Sequence, residues 1–179
     1  MSATVAETPS PTRDRRRVAV GLSGIWQTIE TLFLSLWLGG LLIIGAVVAP
    51  VAFHALRTAP ILADNTALQN ALAGSIVGGS LRVLNYIAVV SAVILAPSLH
   101  RIGPKAIAAY AIAVAIIIAQ QWWLFPDMDL AQVAGNMKHF DSDHALYVNL
   151  TYLQLVELLI YAYFRNIASA NPVSAQVNP

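Results

Sequence analysis

Four long runs of apolar residues, parted by short polar stretches, dominate this chain. The first, Leu32 to Phe53, reads LFLSLWLGGLLIIGAVVAPVAF without one charge, and a bilayer core takes about 20 such residues as a single helix. With Trp26 at the interface and His54 and Arg57 returning the chain to water, a first span over 25–53 is predicted. It is longer than the ~7–15-residue apolar core of a secretory signal, so an uncleaved anchor is expected. Further spans fall at 81–99, 106–125 and 145–164. His100, Arg101, Gly103 and Pro104, between the second and third, are residues that stop one helix and start another. Residues 58–80 are mildly amphipathic and broken by Gly74, Gly78 and Gly79; they are expected as a short surface helix. Residues 127–143, beyond the interfacial pair Trp122-Trp123 and Pro126, are expected as a polar connector. The predicted fold class is therefore all-α: a four-helix transmembrane bundle with a short surface helix between the first and second spans. Around the 24–165 membrane domain, residues 1–23, with the run Arg13-Asp14-Arg15-Arg16-Arg17, read as a flexible basic tail, and 166–179 as a polar C-terminal tail.

Composition sharpens the picture. Only 11% of the residues are charged and 58% are hydrophobic, against about 25% charged in an average soluble domain. The net charge of +1 and the absence of a basic stripe set nucleic acid aside. Without cysteine there is no disulfide, thiolate zinc site, iron–sulfur cluster or thiol catalysis, so any metal would need His, Met or carboxylate ligands. Four spans put both termini on one side. Arg13, Arg15, Arg16, Arg17, Arg101, Lys105 and Arg165 share that side against Arg57, Arg82 and Lys138 opposite, which predicts cytoplasmic termini in the inner (plasma) membrane. No catalytic or cofactor motif is present, so the chain is not expected to be an enzyme and no cofactor is assigned. The partners expected are the lipid bilayer and a membrane-protein partner or a second copy.

Polar groups inside a membrane are costly and face a bundle interior or a wet cavity. On the fourth span, Tyr147, Thr151, Gln154, Glu157 and Tyr161 recur at helical spacing and are expected to point inward. Glu30 and Glu157 lie at a similar distance from the cytoplasmic boundary. They could be neighbours forming a protonatable pair, or each could pair with Arg101, Lys105 or a Tyr hydroxyl and hold helices together. Arg82, Asn85, Gln120 and Gln121 form a polar ring near the outer ends of the second and third spans, with Arg82 free to snorkel to headgroups. Trp37, Gly39, Gly40 and Pro50 are read as helix-packing positions. Topology also brings His54, His139 and His144 to the outer side among Asp127, Asp129, Asp141 and Asp143, a set that suits zinc or copper(II). The segment HFDSDH is equally a solvated loop, since its two His are five residues apart and not on one helical face. Two functions stay open: a packing, partner-binding or transport-accessory subunit, and an outward-facing metal binder.

The stretches LWLGGLLIIGAVVAPVAFHAL and ALAGSIVGGSLRVLNYIAV, the Pro-Asp segment after the third span, and Phe140 with His144 opening the fourth resemble the transmembrane protein 205-like family. The likeness covers about residues 31–163 and is most specific at Trp37 to Phe53. In that family a Ser and an Asn follow the His at helical steps; here Tyr147 replaces the Ser and Asn149 is out of register. The resemblance implies a small four-helix membrane protein, with no agreed activity among bacterial members. A more distant likeness, through the WLGG helix, is to the copper resistance protein D family.

Overall fold

A computed structural model describes the backbone of residues 11–170 and the side chains of residues 24–168. The chain forms four helical rods and, among the described residues, no strand. The first rod is α1 (Pro11–Ile43), a π-helical turn (Ile44–Val48) and α2 (Ala49–Arg57). A 3-10 turn at Pro60–Leu62 leads to α3 (Thr66–Leu95), which tightens into a 3-10 stretch at Ala96–Arg101. The third rod is α4 (Pro104–Ala119), a second π-helical turn (Gln120–Leu124) and α5 (Phe125–Val133); the fourth is α6 (Met137–Ala170). Each rod contains a helix long and apolar enough to cross a membrane, at Gly24–Arg57, Thr66–Arg101, Pro104–Val133 and Met137–Ala168. The architecture is that of an all-α, multi-pass membrane protein.

The helices run further than the sequence pattern suggests. The tail expected over 1–23 is helical from Pro11 onward, residues 1–10 lying outside the described residues. The tail expected over 166–179 is helical as far as Ala170, with 171–179 outside them. The separate surface helix expected over 58–80 is instead the beginning of α3. Its N-terminus is fixed by Asn65, whose Oδ1 accepts from Leu68 N–H at 2.9 Å, and by Gln69, whose Nε2 donates to the Leu62 carbonyl at 2.7 Å. The connector expected over 127–143 is also largely helix, divided between α5 and α6. The break between them is a helix-terminating turn: Gly135, at φ +70°, lets Asn136 N–H reach the Ala131 carbonyl at 2.9 Å.

Pro50 and Pro126 explain how two rods survive an internal proline. Each is the second residue after a π-helical turn, where the widened turn accommodates the ring and the missing N–H. Pro50 is exposed, so its role is in the backbone and not in the helix contact expected for it.

The most extensively packed helix pair is α4 with α6; α3 packs along both α1 and α2, and α5 packs on α6. The main core joins Leu34, Trp37, Leu41, Leu84, Ala88, Leu95, Ala113, Ile117, Leu158 and Tyr161. Trp37 is fully buried. Gly40 faces Leu84 across the α1–α3 contact, whereas Gly39 has open space where a side chain would go. The outward faces of the rods are large apolar residues such as Leu42, Val83, Val93, Trp122, Trp123 and Tyr152, which a bilayer would cover.

Candidate metal centre and the polar interior behind it

The turn at Gly135 folds α6 back along α5, so that the carboxylates of α5 meet the first turns of α6. Asn136 caps α6 by accepting from His139 N–H through its Oδ1 at 3.2 Å, which places His139 in the first turn and Asp143 one turn further on the same face. His139 Nε2 lies 3.3 Å from Asp127 Oδ2 and 3.5 Å from Asp143 Oδ2. The three donor atoms all fall within 4.8 Å of one another. Zinc–ligand bonds of about 2.0–2.1 Å in tetrahedral geometry place neighbouring ligand atoms roughly 3.3–3.4 Å apart. The two His–carboxylate separations lie near that edge length, which is also that of a His–carboxylate ion pair. Asp143 is only 13% exposed, while His139 and Asp127 are open to solvent, so the cluster has a solvent-facing side for a fourth ligand such as water.

Of the three His expected on this side, only His139 joins the cluster. His54 is exposed on α2, and His144 is exposed on α6 with its ring stacked on Phe140 at 5.9 Å. Neither belongs to a converging ligand set among the described residues. Asp127 and Asp143 take their place. The signal for Asp143 was its position four residues after His139; it is informative only if 139–143 is helix, which the connector reading denied.

Beside the cluster, Arg82 is ion-paired. Its Nη2 donates to Asp129 Oδ2 at 2.7 Å and its guanidinium sits 5.1 Å from the centre of the Phe125 ring, tying α3 to α5. Below lies a polar interior. Gln120 Nε2 donates to Thr151 Oγ1 at 2.9 Å, and the Thr151 hydroxyl donates to the Tyr147 carbonyl at 2.9 Å. The Tyr147 hydroxyl lies beside Asn85 and Thr151. Gln154 is completely buried with neither side-chain polar atom partnered by protein, and the Oε1 atoms of Gln120 and Gln121 are likewise buried without a protein partner.

At the other end of the bundle, Arg165 Nη2 donates to Glu30 Oε2 at 3.4 Å, to Thr31 Oγ1 at 3.1 Å and to the Gln27 carbonyl at 3.3 Å. Glu30 thus pairs with Arg165 and not with Glu157, Arg101 or Lys105. Glu157 is half-buried beside the inward stripe, whose place is filled by Leu158. The Tyr161 ring packs on Tyr110 at 5.7 Å, and the Tyr110 hydroxyl donates to the Ala92 carbonyl at 2.5 Å.

Residues 32–137 match the model of a family described as a domain of unknown function (DUF4149). No curated protein and no solved structure shows significant similarity to the chain.

Proposed function

The chain belongs to the DUF4149 family, whose model covers more than half of it, and we propose that it is a membrane-embedded divalent-cation-binding subunit with its ligand site at the α5–α6 end. The observation that supports this reading is the convergence of Asp127, His139 and Asp143 from two helices, at the spacing a zinc ion imposes on its ligands. An imidazole and two carboxylates, without sulfur, select a borderline or hard divalent ion, with zinc the best fit to the separations. The role proposed for such a site is cation binding or transport-accessory. The bias of Lys and Arg between the two ends supports an orientation with the termini in the cytoplasm and the cluster on the outer side of the inner membrane. The likeness to transmembrane protein 205-like proteins agrees with the architecture and adds no activity.

The test is a zinc titration of the detergent-purified protein followed by calorimetry. One ion per chain is expected, with affinity reduced at least ~10-fold, the loss typical when a site's ligand shell is damaged, in Asp127→Asn, His139→Ala and Asp143→Asn. His54→Ala and His144→Ala should bind as the parent does. Equal binding by all five variants, or none by the parent, removes the cation reading and leaves a packing subunit.

A further inference from the structure

On α6, Asp143, Tyr147, Thr151, Gln154, Leu158, Tyr161 and Arg165 follow one another at spacings of four, four, three, four, three and four, one continuous inward stripe. It is polar from Asp143 to Gln154, apolar at Leu158, and polar again at Tyr161 and Arg165. Leu158 is fully buried in the main apolar core, together with Trp37, Ala88 and Ile117. Between Asp143 and Leu158, Gln120, Gln121 and Gln154 keep buried amide atoms without protein partners, and at and beyond Leu158 so do Trp37 Nε1, the Tyr161 hydroxyl and Glu30 Oε1. An unsatisfied buried polar group costs about 1–3 kcal/mol, and lipid offers nothing to satisfy it. The remaining source of partners is water entering from the polar end. There the stripe opens at Asp143, Asp127 and His139.

We infer that residues 143–154 of α6, with Asn85, Gln120 and Gln121, form a hydrated inlet. It runs from the Asp127–His139–Asp143 cluster to the middle of the membrane and stops at a floor of Leu158 and Trp37. The inlet admits water and small hydrated cations, for which its amide oxygens and hydroxyls are neutral ligands of the carbonyl type. The identity of the cation rests on the reading proposed above; the existence of the inlet does not. Its geometry is a half-pathway, with a second polar group, Tyr161, Arg165 and Glu30, waiting beyond the floor.

The natural chain has no cysteine, so single thiols report cleanly. Thr151→Cys, Gln154→Cys, Leu158→Cys and the lipid-facing Val156→Cys would be placed in bilayer nanodiscs and treated with a small, positively charged methanethiosulfonate reagent. That reagent attacks thiolate, which forms only where water reaches, so reaction at 151 and 154 should be at least ~10-fold faster than at 158 and 156. Either inlet position decides the matter if the other variant does not fold. Labelling at 151 and 154 as slow as at 156 overturns the inlet, and labelling at 158 as fast as at 154 overturns the floor. Zinc should slow the labelling of Gln154→Cys, and should cease to do so when Asp127→Asn is added. Fast labelling indifferent to zinc upholds the inlet and removes the cation reading instead.

Discussion

Leu84 Cδ1 occupies the place that a Cβ on Gly40 would need, while the corresponding position at Gly39 is open. The two neighbouring glycines therefore have different roles, and only Gly40 sets how closely α1 approaches α3. Because Leu84 is itself packed in the main core, it has little room to move aside. Gly40→Leu should destabilise the detergent-solubilised protein by about 1–3 kcal/mol, the usual cost of overpacking, and Gly39→Leu by much less. Thermal unfolding of the two variants side by side checks this; equal melting temperatures would refute the assignment.

Arg165 and Glu30 are buried together, 11% and 4% exposed. Truncating one member of such a pair strands the other, at a typical cost of about 3–5 kcal/mol. Arg165→Ala should therefore be severely destabilising, and adding Glu30→Gln should restore part of the loss because the stranded charge is gone. Unfolding midpoints for the two single variants and the double variant measure it; a double variant no better than Arg165→Ala would show that the charge is not the cause.

The Gln120–Thr151 hydrogen bond joins the π-helical turn after α4 to helix α6, on which α4 packs most extensively. Such bonds in membrane bundles average about 0.6 kcal/mol and reach about 1.7. A double-mutant cycle with Gln120→Leu and Thr151→Val should return a coupling in that range, toward the upper end given the 2.9 Å separation. A coupling indistinguishable from zero would mean that water replaces the bond without cost.

Asn136 both ends the turn and caps α6 over His139. Removing the cap in Asn136→Ala should cost about 1 kcal/mol of stability. It should also weaken zinc binding, since the first turn that holds the imidazole then frays. Calorimetry on the folded variant reads the second effect; parental zinc affinity would separate the cap from the site.

For orientation, reporter fusions at the C-terminus should be active only in the cytoplasm, and fusions placed at Gly135 only outside. The basis is the excess of Lys and Arg at the termini and the Arg101–Lys105 turn. The opposite pattern would turn the cation cluster toward the cytoplasm.

Much of the fold could be read from the chain because hydrophobic run length is nearly sufficient for membrane helices: the four rods lie where the four apolar runs do. Their ends were the illegible part. Gly78-Gly79 and Pro126 are breaking signals in water, yet α3 passes through the first and the π-helical turn carries its rod through the second. Within the site, helical periodicity found Tyr147, Thr151, Gln154 and Tyr161, but three-dimensional packing chose Leu158 over Glu157 for the face between them. Counting histidines overweighted His54 and His144, because sequence shows which side of the membrane a residue occupies and not which neighbouring helix it meets. The partner of Glu30 was out of reach for the same reason: Arg165 is 135 residues away along the chain.

The two π-helical turns followed by proline divide the first and third rods into stiff arms joined at a fulcrum. In the third rod Asp127 is the residue directly after Pro126, while Asp129 lies further along the α5 arm. A lever swung about its fulcrum displaces its tip and leaves its root nearly fixed. Asp127 thus meets His139 at the root of the arm, while buried Met128 and the Arg82–Asp129 ion pair hold the arm against its neighbours. One nine-residue helix thus carries both a member of the ligand cluster and the tie to α3.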